Sequence, residues 1–366
     1  MSSLTSSLLN FFGARVPSGQ TDGLTKTYYD YSIDELKLMT ILERLSIRDW
    51  NVEIFTLLIT LGLVLIWKIG LTYNESKVKK WLTKHEQVFK DQFYQFGTSS
   101  NEIYIKDSAE DFASYATGRL NISHLNINFN LEPRHNMFFY IMEVIFSFFV
   151  KAITKPEDKI ELRITLDKFA NDKIDECIWA IVNKEQMNKY RESNYYISLT
   201  KTSDSELLPR EFVFMSEVPD LNEALFTKDL KDSIQNSGKI LRFLAITDQP
   251  NDKPTKIQDT RPFKRFILQL NFPSSEEEYE NSKKLVNSFI TLVDHAVKKE
   301  FKPETIKKIL KTREVEINKL KKIDEDLKKE ELELKRIAKL KNLSEEEQKK
   351  LEKKRQRKLL KQQRIR

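Results

Sequence analysis

The stretch Ile54–Leu71, IFTLLITLGLVLIWKIGL, decides how this 366-residue chain is organised. Seventeen of its eighteen residues are uncharged, and the exception, Lys68, stands near one end where its stem lets the ammonium reach lipid headgroups. As a helix it rises about 27 Å, which matches a thin bilayer better than a thick one. A single span is expected. Trp67 and Tyr73 sit near its far end, where aromatic rings favour the membrane interface. The competing reading is a buried helix of a soluble domain, but eighteen nearly charge-free residues exceed the usual core-helix run.

Upstream, residues 1–53 have no basic segment followed by a long apolar one, so no cleavable signal peptide is expected and the span itself directs insertion. Leu4, Leu8, Leu9, Phe11 and Phe12 would line a short interfacial helix or belong to a loose terminus. Tyr28–Trp50 alternates acidic and apolar residues and reads as a short helix before the membrane. Close to the span, Lys37, Arg44 and Arg48 lie on the N-terminal side, against Lys77, Lys79, Lys80, Lys84 and Lys90 on the other. That bias predicts a luminal N-terminus and a cytosolic C-terminus. The sequons at Asn121 and Asn342 would then carry no glycan.

Downstream, Lys77–Phe96 has helical spacing at Val78, Leu82, Val88 and Phe93, with Gly97 as its stop. Alternation at Leu125, Ile127, Phe129 and Leu131, and at Ile160, Leu162, Ile164 and Leu166, predicts two strands with one buried face. Further strands are expected over Glu176–Val182, Tyr195–Thr200, Glu211–Met215, Ile240–Ile246 and Arg265–Asn271, with helices over Phe226–Gln235 and Glu276–Lys299. The fold class is therefore α+β: a luminal segment over 1–53, a span over 54–71, an α+β domain over 72–299 and a basic helical tail over 300–366. Met137–Ile153 is intensely apolar yet carries Glu143 near its middle and Lys151 near its end. A mid-helix charge costs a spanning helix about 2.5–3.5 kcal/mol, so this segment is expected to be buried or to skim the membrane.

Composition narrows the chemistry. With 23 Phe the chain has the means for a sizeable core, and one cysteine, Cys177, excludes an internal disulfide framework. Cys177 falls in an apolar run and reads as an inert buried thiol. His85, His124, His135 and His295 are scattered without metal-ligand spacing, and eight glycines form no phosphate-binding loop. No catalytic residue, metal site or cofactor is expected, and the chain reads as non-enzymatic.

The net charge of +7 is unevenly placed: residues 301–366 hold 24 Lys/Arg against 13 Asp/Glu, a net +11, which leaves −4 for the first 300. After Pro303, a suitable helix start, Ile306, Leu310, Ile317, Leu320, Leu327 and Leu334 trace a coiled-coil-like seam interrupted by Arg313, Asp324 and Glu331. A break is expected at Asn342–Ser344, and Ser344 with Glu347 makes a capping box for a last helix. That helix carries Lys349, Lys350, Lys353, Lys354, Arg355, Arg357, Lys358, Lys361, Arg364 and Arg366 with one acid, Glu352. Its density of charge without aromatics suits phosphate contacts rather than base stacking, so ribosomal RNA is the expected partner, with anionic lipid as the alternative.

Short motifs in order add a resemblance. Tyr115-Ala116-Thr117-Gly118-Arg119 precedes a strand, Asp158-Lys159-Ile160-Glu161-Leu162 opens the next, RFILQLNFP runs from Arg265 to Pro273, and Leu351-Glu352-Lys353-Lys354-Arg355 lies in the tail. With one span and a basic helical end, the chain from about residue 50 resembles calumin, a coiled-coil protein of the endoplasmic reticulum, and its fungal relatives. The resemblance implies a ribosome- and translocon-associated factor that helps multi-pass membrane proteins insert and fold, beside a small membrane partner, Asterix. It also implies an acidic, calcium-linked luminal segment in animal members. Residues 1–53 hold only Asp22, Asp30, Asp34, Glu35, Glu43, Asp49 and Glu53, with no acidic run.

Overall fold

The computed structural model describes residues 31–47, 50–99, 102–150, 155–255 and 257–341. The apolar positions from Leu4 to Phe12, Arg48, Lys151, the break at Asn342–Ser344, the Ser344/Glu347 capping box and the whole basic run from Lys349 to Arg366 lie outside them.

The segment before the apolar stretch forms two short helices, Ile33–Leu38 and Ile41–Ile47, rather than the single one expected. Ser32 and Glu35 cap the first reciprocally, and Thr40 pairs with Glu43 in the same way at the second. A second capping box restarts the chain where one helix would have had to continue.

The apolar stretch and the amphipathic run after it, read separately from sequence, are one helix, α1 (Asn51–Gln92). No glycine or proline falls between Leu71 and Gln92, so nothing in the chain breaks the hydrogen-bond ladder. Its 42 residues extend about 63 Å. Among the described residues α1 is the one helix long and apolar enough to cross a membrane. Leu57, Leu58, Leu63, Leu65 and Ile69 are all more than half exposed, as lipid-facing side chains would be.

Two compact units divide the chain. The first holds α1 as far as Lys80, the Asp107–Asp111 turn, and residues 131–157 with the helix α2 (Met137–Phe149). None of the thirteen residues of α2 is buried, which removes the core-helix reading of this apolar segment.

The second unit begins at Trp81 and is built on ten strands: β1 (Gln95–Phe96), β2 (Ile105–Lys106), β3 (Asp111–Thr117), β4 (Ile122–Asn130), β5 (Lys159–Leu166), β6 (Trp179–Asn183), β7 (Lys201–Ser203), β8 (Phe212–Ser216), β9 (Leu241–Thr247) and β10 (Arg265–Asn271). They form one sheet in the order β1-β3-β4-β5-β10-β9-β6-β8-β7, with β2 beside β3. The fold is α+β. In β4 and β5 the expected alternation is present, with Leu125 opposite Ile164, Ile127 opposite Leu162 and Phe129 opposite Ile160 on the buried face. In β6, β8, β9 and β10 nearly every residue is buried, because this half of the sheet is covered on both faces. One cover packs Tyr190, Tyr196 and Ile197 onto Ile178, Ala180, Val182, Val213, Met215 and Phe243.

Tyr195–Thr200 is not a strand: Tyr195–Ser198 is a helical turn that delivers Tyr196 and Ile197 to that cover. Short apolar runs do not distinguish strand from buried helix by period alone. Likewise β6 starts at Trp179, so Cys177 precedes the strand; its thiol is 2% exposed, and burial holds its pKa well above the usual range. The sequon residue Asn121 sits at a positive φ in the β3–β4 turn, beside Gly118, and its amide donates to Asp294 at 3.0 Å. A missing glycan there would therefore say little about membrane orientation.

The longest helices described in this unit, apart from the end of α1, are α3 (Lys228–Gln235), capped by Thr227, α4 (Glu276–Lys298), capped by Ser275, and α5 (Pro303–Lys341). The end of α1 belongs to the same core. Trp81 meets Phe129 edge-on with centroids 5.4 Å apart and stacks on His85 at 3.9 Å. Both nitrogens of fully buried His85 are engaged, by Trp81 O at 2.9 Å and Ser282 Oγ at 3.0 Å. Burial holds its pKa down at about 4.

Candidate membrane-facing and tail-docking sites

In the first unit, the polar end of the apolar stretch is a joint. Gly70 lies against the backbone of Arg134 and His135 so closely that a Cβ there would overlap the Arg134 carbonyl. One helical turn on, fully buried Asn74 donates from Nδ2 to the carbonyls of Ala109 and Glu132, both at 3.1 Å. Its Oδ1 accepts from Arg134 Nη1 at 3.0 Å. Arg134 also pairs with Glu132 at 2.9 Å and lies 5.1 Å above the Tyr73 ring. A buried amide so fully used fixes the approach of α2 to α1.

From this joint Asn136 caps α2, accepting from Phe139 N at 3.2 Å. Asn136, Tyr140, Glu143 and Ser147 follow one another at spacings of four, three and four residues and share one side of the helix. Every other position is apolar, and Phe138, Phe139, Phe148 and Phe149 are each more than half exposed. The polar side is within electrostatic reach of the Asp107–Asp111 turn: burial, with Asp111 and Glu143 adding, raises the pKa of Glu110.

In the second unit the decisive residue is Arg313. Along α5, Thr305, Ile309 and Arg313 recur every four residues and are buried together with Phe301. Arg313 Nη2 donates to Asp248 Oδ1 at 2.7 Å and to Glu217 Oε2 at 3.0 Å, and its Nη1 lies 2.8 Å from Glu217 Oε1 as an ion contact. The three side chains are 8%, 0% and 2% exposed. Read from sequence, Arg313 spoils a coiled-coil seam; in the fold it ties α5 to Glu217 and Asp248, the residues that directly follow β8 and β9. Asp324 and Glu331, the other interruptions, make exposed pairs with Lys328 and Lys335 one turn on. Beside Arg313 a groove of about 350 Å³ opens between α5 and the body, lined among others by Tyr195, Leu199, Pro262, Leu310 and Ile317.

Two carboxylates share one guanidinium here, so burial and the like charge of Asp248 push Glu217 up to about 7 against the pull of Arg313. A group whose folded pKa is raised contributes stability below its unfolded value, and loses it as pH rises through the folded value. His85, depressed to about 4, acts oppositely: its contribution is complete above about 6.5 and fades as pH falls. Thermal melts should therefore show Glu217→Gln steepening the loss of stability from pH 7 to pH 5, since the opposing Glu217 term is gone. An unchanged pH profile would mean that Glu217 is ionised throughout.

Neither joint was legible as a site beforehand. Asn74 and Arg134 are 60 residues apart, and Arg313 meets Asp248 across 65. The ten basic residues expected to form the RNA contact lie beyond Lys341, outside the described residues.

The model of the family described as PAT complex subunit CCDC47 matches residues 49–366. The chain belongs to that family. The match begins at the start of α1 and takes in both joints, α5 and the basic run. Two fungal relatives of the CCDC47-family chain are UPF0674 endoplasmic reticulum membrane proteins. The one from Schizosaccharomyces pombe is 28% identical over 78% of this chain and 79% of its own length. The one from Saccharomyces cerevisiae is 26% identical over 75% and 73%. This is the calumin-like family, with fungal members, to which the order of short motifs pointed. Its description is that of a subunit of a complex rather than of an enzyme.

Proposed function

We propose that this chain is a non-enzymatic subunit of a PAT-type complex in the endoplasmic reticulum membrane, which assists insertion and folding of multi-pass membrane proteins. One observation carries the reading: a single family match covers apolar helix, sheet domain and basic tail as one unit. The endoplasmic reticulum descriptions of both fungal relatives support the location. In this reading Ile54–Leu71 spans the membrane once, with residues 1–53 luminal and the remainder cytosolic, as the lysine bias favours. The α+β domain contacts translocon components and a small Asterix-like membrane partner. The tail from Lys349 to Arg366 contacts ribosomal RNA.

A photo-crosslinking residue placed at Gln356 tests this in microsomes. Crosslinks to ribosomal RNA or large-subunit proteins are the expected result. Crosslinks confined to lipid would replace the ribosome contact by a membrane tether acting through anionic headgroups.

A further inference from the structure

The apolar surface of α2 is too large to be left in water. Phe138, Phe139, Phe148 and Phe149 are 68%, 59%, 81% and 81% exposed, with Ile141 and Ile145 at 48% between them. Aromatic side chains of this size carry about 150–250 Å² each, so the patch exceeds what soluble surfaces usually tolerate. Three features say what covers it. The backbone of Arg134 and His135, just before the helix, lies against Gly70 in the last turn of the apolar stretch of α1, so the helix begins at the level where that stretch ends. Its polar residues form a narrow stripe, Asn136, Tyr140, Glu143 and Ser147. The opposite side is centred on Phe138, Ile145 and Phe149, seven and four residues apart. Thirteen residues give a helix of about 20 Å, short of the roughly 30 Å needed to cross hydrocarbon.

We infer that α2 is a second membrane contact of this chain: it lies in the headgroup–acyl boundary of the leaflet reached by Gly70, Phe138, Ile145 and Phe149 among the acyl chains and the polar stripe turned outward. The occupant of the surface is lipid. The inference rests on the membrane-spanning reading of α1. Its consequence is mechanical: a span alone can tilt and shift in depth, and a helix immersed in one interface beside it limits both, while rotation about the membrane normal stays free.

The test uses the full chain with Cys177→Ala, reconstituted in phosphatidylcholine–phosphatidylinositol vesicles. Single cysteines at Phe138, Ile145, Phe149 and Ser147, and at Leu61 in the span, carry an environment-sensitive fluorophore. Quenching by lipids spin-labelled at acyl carbon 5 is compared with quenching at carbon 12 and by aqueous iodide. Phe138→Cys, Ile145→Cys and Phe149→Cys should be quenched at least about twofold more by the carbon-5 label than by iodide, and Ser147→Cys should show the reverse. Three outcomes overturn the inference while Leu61→Cys still reports lipid: iodide reaching the three phenylalanine-side positions as freely as Ser147→Cys, stronger quenching there by carbon 12 than carbon 5, or protection from every quencher, which means protein cover. If Leu61→Cys itself escapes the lipid quenchers, the spanning reading of α1 falls instead.

Discussion

Replacing Arg313 with alanine should destabilise the second unit by about 3–5 kcal/mol, the usual cost of removing one partner from a buried charge cluster. The size follows from what stays behind. Glu217 and Asp248 are 2% and 0% exposed, and without the guanidinium a charge on either has no compensating partner among the contacts that remain. Backbone and amide partners remain, Ile178 N for Glu217 and Gln249 for Asp248, but none carries charge. The helix α5 should then lose its seat from about Thr305 to Ile317, and limited proteolysis should cut there first. Changing Arg313, Glu217 and Asp248 together to Met, Leu and Leu should restore most of the loss, since no charge is left unpaired. Denaturant titration of the detergent-solubilised chain measures both variants. A loss below about 1 kcal/mol for Arg313→Ala would place the pair in the range of exposed salt bridges and remove it as the anchor of α5.

Changing Lys353, Lys354, Arg355 and Arg357 to Glu should release the chain from ribosomes while leaving it folded and membrane-embedded. The four residues belong to a run of eighteen that holds ten cations and one acid. If about six cations meet phosphates, affinity should fall on the order of a thousandfold between 50 and 200 mM salt, a scale set by counterion release on nucleic acid duplexes. Lys353→Arg and Lys354→Arg should change little, because phosphate contacts ask for charge and not for base-reading geometry. Co-sedimentation of the detergent-solubilised chain with purified large subunits, across that salt range, gives the measurement. Should the four-Glu variant sediment like the unmodified chain at every salt concentration, the tail is not the ribosome contact. The stability of Arg313→Ala and the binding of the four-Glu variant are independent, since Arg313 acts at the root of α5 and the basic run lies beyond its end.

What the sequence by itself determined are the features written in local periodicity and composition. The apolar stretch from Ile54 to Leu71, the one-faced strands β4 and β5, the helix α4 and the start of α5 at Pro303 each repeat a pattern over enough residues to be read without partners. The family, too, was visible in the order of short motifs. Tertiary structure alone decided the rest, because it depends on residues distant along the chain. Whether Tyr195–Ser198 is helix or strand turns on the sheet face that receives Tyr196 and Ile197. Whether Met137–Phe149 is core or surface turns on contacts distant along the chain: the joint of Gly70 and Asn74 with Arg134 seats its start, and none of its residues is buried. Whether Arg313 is a flaw in a coiled coil or an anchor turns on Glu217 and Asp248, carried by chain segments 96 and 65 residues away. A charge in an apolar seam has no fixed meaning until its environment is known: in water it weakens a helix pair, and between two buried carboxylates it holds the helix in place.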